Sequence, residues 1–294
     1  MKISRRLKTI FPFSGKFHTL GAGHRLHYLD EGKASTTPAT LFLHGNPTWS
    51  FFYRNLLSAW SGQGRCIAPD HLGCGLSDKP PVDQFSYTLE SHALNLRTLI
   101  DSLDIEEFNL VVHDWGGAIG LTAFRDCPER IKKVVLLNTA AFPSPDVPKR
   151  ILFCRTPILG SLFVRGMNGF ALPATRMAST RGLTPDAKYG LLYPYNSWAN
   201  RVAVWRFVKD IPHENNHPSL CILKETENSL QLYLDTPALA CWGMDDFCFH
   251  EGFLKQWESH WPHLQSHRLS QTGHYLLEDN LEECRSLIEP FLFT

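Results

Sequence analysis

Three titratable side chains, far apart in the chain, have the residue types of a covalent active site. Asp114 follows the apolar run 110–112 and precedes Gly116 and Gly117. This pattern predicts a buried strand, a sharp turn with Asp114 at its tip, and a helix. Glycines are needed there because the tip residue is strained and the helix packs closely on the strand. A carboxylate at the tip suits displacement at a saturated carbon that bears a leaving group, which forms an ester with the substrate.

Two further residues weigh against the plain alternative that Asp114 only caps the following helix. Asp246 comes three residues after Gly243 at a predicted strand end, and His274 stands on a turn after the last predicted strand. A histidine beside the ester can activate water or adjust the charge of Asp114. The order 114, 246, 274, with each residue at a strand end, predicts nucleophile, acid and base. Asp245 is the competing acid, and the spacing from Gly243 favours Asp246.

Hydrogen-bond donors are predicted beside the nucleophile. His44-Gly-Asn-Pro47 follows another predicted strand, and its backbone, with the N–H of Trp115, has the position of a donor pocket. The side chains of Asn46 and Trp115 add an amide and an indole N–H. We therefore predict both as substrate-binding residues that stabilise a leaving halide or a developing carboxylate. The alternative makes Asn46 a turn residue and Trp115 a packing residue.

Strands and helices alternate along most of the chain, which predicts an α/β fold with a mostly parallel sheet covered by helices on both faces. Between residues 141 and 228 the alternation stops, and prolines and aromatic residues are frequent. We predict a helical cap there, inserted between core segments 1–140 and 229–294. Its apolar side chains suit long alkyl chains and suit a plain cap core equally well. They are Phe153, Leu159, Leu162, Phe163, Met167, Phe170 and Leu172. Strands are predicted at 17–20, 25–30, 40–43, 65–68, 110–112, 133–138, 236–242 and 265–269.

Composition excludes several functions. The 294 residues carry zero formal net charge, so we expect no nucleic-acid partner. The eight cysteines form no CxxC pair, which favours a reducing, cytoplasmic location. The fourteen histidines show no metal-ligand motif, so we expect no metal or cofactor. No apolar run reaches the length of a membrane span. The basic stretch 1–13 offers a site for peripheral membrane or partner contact, although a partly ordered tail is the favoured interpretation. Residues 33–38 are predicted as a polar loop.

These motifs resemble the haloalkane dehalogenase branch of the α/β-hydrolase superfamily, whose triads have the same chain order. The resemblance covers nearly the whole chain and implies the α/β-hydrolase fold with an eight-stranded sheet. Epoxide hydrolases share the aspartate elbow, but Asn46 fits dehalogenases better, and fluoroacetate dehalogenases usually carry arginine where this chain has Trp115. The matching motifs are His44-Gly-Asn-Pro-Thr48, His113-Asp-Trp-Gly-Gly117, Gly243-Met-Asp-Asp246 and Gly273-His274.

Further phrases, most of them in the predicted cap, are similar to the β-lactone decarboxylases of bacterial long-chain olefin biosynthesis. This resemblance implies a cis-3,4-dialkyl β-lactone as substrate, a cis-alkene and carbon dioxide as products, and assembly with the β-lactone synthetase. Hydrolysis of haloalkanes to alcohol and halide remains the alternative activity, and a non-catalytic scaffold is a weaker one. The phrases include Trp49-Ser-Phe-Phe-Tyr-Arg-Asn55, Ala141-Phe-Pro143, Ser197-Trp-Ala-Asn-Arg201, Phe207-Val-Lys-Asp-Ile-Pro212 and Asp246-Phe-Cys-Phe249.

Overall fold

The computed structural model describes residues 3–33 and 38–293, and an eight-stranded sheet lies at its centre. The spatial order is β1-β2-β4-β3-β5-β6-β7-β8, and only the β1–β2 and β2–β4 pairs are antiparallel. The predicted mostly parallel sheet is therefore confirmed. The strands are β1 Lys16–Thr19, β2 Arg25–Glu31, β3 Ala39–Leu43, β4 Cys66–Pro69, β5 Phe108–Asp114, β6 Ile131–Thr139, β7 Ala238–Gly243 and β8 Gln265–Leu269.

The central strand β5 is buried along its whole length. Leu110 and Val112 belong to one hydrophobic cluster, whereas Val111 belongs to a second cluster on the opposite face. Successive side chains of a strand point to opposite faces, so a sheet covered on both sides needs a continuous apolar run. This is why β5 reads as an unbroken apolar stretch in the sequence.

Thirteen α-helices of the described ranges cover this sheet and build the segment between β6 and β7. The sequence predicts helices near 52–60, 87–103, 151–160, 161–170, 197–209 and 251–259, with one more after Asp114 and one after His274. It therefore misses α1, α7, α8 and α10. A 3₁₀ turn, Ser50–Tyr53, precedes α2, and a π-helical turn, Leu162–Gly166, continues α6. The helices are α1 Arg5–Ile10, α2 Arg54–Trp60, α3 Leu89–Ser102, α4 Trp115–Ala123, α5 Lys149–Arg155, α6 Leu159–Ser161, α7 Ala171–Met177, α8 Pro185–Leu192, α9 Val202–Asp210, α10 Pro218–Ser229, α11 Glu251–His260, α12 Leu276–Asp279 and α13 Leu281–Phe293.

The segment from residue 140 to residue 237, described throughout, contains helices α5 to α10 and no strand. Ile151, Val164, Val204 and Val208 form a small hydrophobic core of its own. Helix α10 differs from its neighbours, because it packs on α3 and α4 and thereby covers the sheet. Residues 141–228, predicted as the cap, thus include one helix that is packed on the core.

Within the basic N-terminal stretch 1–13, Arg5–Ile10 form helix α1, whereas the composition favoured a partly ordered tail. The side chain of Ser4 caps α1, Leu7 is fully buried, and Arg6 pairs with Asp186 of α8 at 2.7 Å. Buried apolar contacts hold a helix of this length, which would not be stable alone. Met1 and Lys2, and residues 34–37 of the predicted polar loop, lie outside the described residues. None of the described helices has the length and apolarity needed to cross a bilayer.

Candidate active site

Asp114 stands at the junction of β5 and α4 with a backbone φ of 52°, in the region that side-chain-bearing residues rarely adopt. The turn is tight because α4 runs directly over the neighbouring strand. A Cβ on Gly116 would lie 2.1 Å from the carbonyl oxygen of Leu43, so only glycine permits this approach. The strained strand-turn-helix connection predicted around Asp114 is therefore present.

His274 lies between the two predicted carboxylates. Its Nδ1–H donates to Oδ2 of Asp246 at 2.7 Å, and its Nε2 lies 3.7 Å from Oδ2 of Asp114. The second oxygen of Asp246 accepts the backbone N–H of Cys248 at 2.7 Å. Asp245 is exposed and stands apart from the histidine, so Asp246 is the partner, as the spacing from Gly243 indicated. The fold thus brings residues 114, 246 and 274 together, all three buried.

Burial alone lowers the pKa of His274, but the charge and hydrogen bond of Asp246, together with the charge of Asp114, outweigh it and raise this pKa. Burial raises the pKa of the Asp114 carboxyl, and the opposite charge of His274 partly counteracts this effect. The arrangement favours a protonated imidazole between two carboxylates. Such a cation balances the charge of a buried carboxylate nucleophile.

The two oxygens of Asp114 have different surroundings. The backbone N–H of Asn46 donates to Oδ1 at 2.6 Å, and the backbone N–H of Trp115 also donates to this carboxylate. A Cβ on Gly45 would lie 1.9 Å from the same Oδ1, so the preceding residue must be glycine. The backbone N–H of Asn46 thus anchors Oδ1, and the other oxygen, Oδ2, lies on the side of His274.

Asn46 also connects the core with the cap. Its Nδ2 donates to the carbonyl oxygen of Val204 in α9 at 3.2 Å, while its Oδ1 is buried without a hydrogen-bond partner among the described residues. An amide carries two N–H groups, so one remains for a substrate. Trp115 packs against Phe207 of α9, with ring centroids 5.4 Å apart, and lines the same cavity. Both predicted substrate-binding residues therefore lie beside Asp114, and their donor roles stay a prediction.

A cavity of about 160 Å³ opens in front of Asp114, and its wall is mostly apolar, with Ser144 and Asp146 among the polar residues that line it. The predicted alkyl-chain residues of the cap are mostly absent from it. Phe170 lines the cavity, and Phe163 packs against the small core of the cap, which was the alternative. The remaining five are exposed, so both interpretations are wrong for them: Phe153, Leu159, Leu162, Met167 and Leu172. The cap contributes other side chains because its helices turn different faces inward. They are Val147, Ile151, Val208, Ile211 and Leu223.

Three residues that the sequence did not assign to the site hold its parts in place. His113 donates from Nε2 to the carbonyl oxygen of His274 at 2.9 Å, and Phe249 stacks on the His274 ring with an interplanar angle of 12°. His44 accepts the backbone N–H of His71 at its Nε2, so its Nδ1–H donates to the carbonyl oxygen of Gly45. All three belong to motifs or phrases quoted above, but no sequence pattern assigned any of them a role in the site.

Within 3–33 and 38–293, no group of three or more His, Cys, Asp or Glu side chains is arranged to hold a metal ion. The site consists of a buried carboxylate, a histidine–aspartate pair, neutral N–H donors and a mostly apolar cavity. This set is suited to nucleophilic displacement on an apolar substrate, with formation of an ester on Asp114.

A family model described as the α/β hydrolase fold matches residues 38–281, and the chain belongs to this family. The cis-3-alkyl-4-alkyloxetan-2-one decarboxylase of Shewanella oneidensis is 42% identical over 97% of this chain and 90% of that protein. The decarboxylase of the same name from Xanthomonas campestris is 35% identical over 96% and 97%. The crystal structure of haloalkane dehalogenase DbeA from Bradyrhizobium elkanii superposes with a TM-score of 0.85 at 25% identity, covering 95% and 97%. The resemblance found in the sequence is confirmed.

Proposed function

We propose that this enzyme converts a cis-3,4-dialkyl β-lactone into a cis-alkene and carbon dioxide, with Asp114 as the nucleophile. The observation that carries the proposal is the similarity, along nearly the whole chain, to relatives named cis-3-alkyl-4-alkyloxetan-2-one decarboxylase. The geometry supports it, because a buried carboxylate faces a cavity whose wall is mostly apolar. Dialkyl lactones present a strained ring and two apolar chains to such a site.

In the first step, Oδ2 of Asp114 attacks C4 of the lactone from the side opposite the ring oxygen. The C4–O bond breaks with its electron pair, so the leaving group is the lactone's own carboxylate, and C4 inverts. Trp115 and Asn46 offer neutral N–H donors for this developing charge. The backbone N–H groups of Asn46 and Trp115 hold the nucleophile in one orientation while Oδ2 forms the new bond.

In the second step, the bond between C3 and the carboxylate breaks and its electrons form the alkene. The C4–O bond to Asp114 breaks in the anti direction, carbon dioxide leaves, and the electron pair returns to the aspartate. Inversion followed by anti elimination gives a cis-alkene from a cis-lactone. No water is consumed, and we propose that His274 acts as an imidazolium that stabilises the charge that returns to Asp114. Attack on the lactone carbonyl, which gives an anhydride, is the competing first step.

Haloalkane hydrolysis is the second candidate, favoured by the similarity in fold to a solved haloalkane dehalogenase. The same Asp114 would displace a halide, and His274 would then activate water against the ester. The two activities share the nucleophile and the donors and differ in the second step. They also differ in products, since one releases an alkene and carbon dioxide and the other an alcohol and halide.

The test is incubation of the purified chain with a synthetic cis-β-lactone, with the alkene measured by gas chromatography. We expect cis-alkene and an equal amount of carbon dioxide. The trans-lactone of the same chain length is the matched control for stereochemistry, and 1-bromobutane is assayed in parallel for halide release. Halide release without any alkene from the lactone would assign the chain to the second candidate instead.

The proposal extends to location and partners. We place the enzyme in the cytoplasm, in keeping with eight free cysteines. We also infer that it assembles with the β-lactone synthetase, because direct transfer shortens the exposure of a strained lactone to water. Affinity purification of the tagged chain from cells that express both proteins tests this, and recovery without the synthetase would contradict it.

A further inference from the structure

A cluster of large apolar side chains on the cap faces solvent. It extends over α5, α6, the following π-helical turn and α7, and its members are between 45% and 73% exposed. Exposed apolar side chains occur singly on most proteins, but a concentration in one segment marks an interaction surface. We call this set the cap patch, and its residues are Phe153, Ile158, Leu159, Leu162, Met167 and Leu172.

The cap patch is the outer face of an ordered helical segment. Leu159 and Leu162 point outward, three residues apart, whereas Gly160 and Val164 of the same helical run are buried. Gly160 lies so close to the α5 backbone that a Cβ would stand 2.3 Å from the carbonyl oxygen of Cys154. The inner face is therefore fixed against the cap, and the outer apolar stripe has a fixed orientation.

The charged residues of the chain segment that carries the cap patch are all of one sign. Residues 147–185 contain six basic residues and no aspartate or glutamate, although the whole chain has zero net charge. Arg155 pairs with Glu214 at 2.7 Å. Among the described residues, the other five form no ion pair with a carboxylate. These five are Lys149, Arg150, Arg165, Arg176 and Arg181.

We propose that the cap patch docks on the surface of an anionic lipid bilayer. Apolar side chains enter the boundary between headgroups and acyl chains, and the unpaired cations bind the anionic headgroups. A lipid surface supplies an apolar layer and a negative charge together, which matches both properties of the segment.

The choice of a bilayer over an acidic protein rests in part on the proposed function, whose substrate and product carry two alkyl chains and partition into membranes. Helices α5 and α7 each contribute to both the cavity wall and the cap patch. Ile151 and Ala174 line the cavity, while Phe153 and Leu172 of the same helices belong to the cap patch. Docking through this face places the cavity wall beside the bilayer in which such molecules are dissolved.

The test is flotation of the full chain with vesicles of phosphatidylcholine that contain phosphatidylglycerol, and with vesicles of phosphatidylcholine alone. We expect binding to the anionic vesicles at about 0.05 M salt and release at about 0.5 M. The triple variant Leu159→Gln, Leu162→Gln, Met167→Gln should reduce partitioning about 100-fold, since each exposed side chain contributes about five-fold. Arg165→Gln with Arg176→Gln should reduce it about 25-fold.

The matched control replaces apolar side chains of similar exposure on other faces, Leu94→Gln with Leu232→Gln, and should bind like the wild type. The proposal is overturned if the wild type does not float with anionic vesicles, or if the control and the triple variant lose vesicle binding to the same extent. Self-association of the wild type in sedimentation experiments, abolished in the triple variant without any vesicle binding, would assign the cap patch to a second copy. Turnover of a short-chain lactone without vesicles is measured separately, so failure of the proposed function is distinguished from failure of docking.

Discussion

Replacing His274 by phenylalanine separates the two candidate reactions. The ring lies between His113, with centroids 4.4 Å apart, and Phe249 at 5.7 Å, so another flat ring can take its place. The substitution removes the histidine that lies 3.7 Å from Asp114 and would act as the base against its ester. Haloalkane hydrolysis needs that base to release the ester, whereas elimination of carbon dioxide does not.

The magnitude follows from the distance between His274 and Asp114. At 3.7 Å and an effective dielectric constant of about 20, a cation and a carboxylate interact by about 4.5 kcal/mol. Most of this stabilisation applies to the transition state as well, because the charge moves from Asp114 to a carboxylate in the same cavity. We therefore expect alkene formation to slow by about 1–3 kcal/mol, or roughly 5- to 150-fold. Haloalkane turnover should stop after one cycle.

Intact-protein mass spectrometry of His274→Phe, after exposure to 1-bromobutane and separately to a cis-β-lactone, measures the outcome. We expect one butyl group on Asp114 with the bromoalkane and no stable adduct with the lactone. The substitution also leaves the buried Asp246 without its cation, which costs about 3–5 kcal/mol of stability. His274→Phe with Asp246→Asn removes the unpaired charge and is the matched control for folding.

A persistent lactone adduct on Asp114 would refute the reasoning. It would show that the intermediate needs His274 for its release and that elimination does not resolve the ester by itself. An adduct with neither reagent, in a variant that remains folded, would instead contradict Asp114 as the nucleophile.

Three further results are expected. Asp114→Ala should abolish alkene formation with an unchanged circular dichroism spectrum, and residual turnover would exclude the covalent route; Asp114→Asn is a poorer test because amide hydrolysis can restore the aspartate. Trp115→Phe should cost about 1.5–4 kcal/mol in the single-turnover rate, and an unchanged rate would make Trp115 a packing residue. Burial disfavours the charged form of the Asp210 carboxyl and raises its pKa from 3.8 to about 6. The fold is therefore more stable when this carboxyl is protonated, and that stability is present below about pH 4 and is lost as pH rises through 6. Asp210→Asn should therefore raise the unfolding free energy at pH 8 by up to about 3 kcal/mol and not at pH 4, and an equal change at both pH values in denaturant titrations would contradict the assignment.

The sequence by itself determined those parts of the site that depend on residues adjacent in the chain. The elbow at Asp114 is such a part, because a fully buried strand, a strained tip and close-packed glycines all leave local patterns. The positions of Asp246 and His274 at strand ends, and the preference for Asp246 over Asp245, were predictable for the same reason. The eight strands were recognised as well, with ends that differ from the structure by two residues or fewer at most positions.

Only the tertiary structure decided which surfaces meet. The link from Asn46 to Val204 joins residues 158 positions apart, and the bond from His113 to the carbonyl of His274 spans 161. No local pattern encodes such pairs. The cap shows the same limit. An apolar repeat predicts that a helix has an apolar face, but that face can meet a core, a substrate or another surface with the same periodicity. The outward direction of Leu159 and Leu162, and the inward direction of Ile151, were therefore settled only by packing.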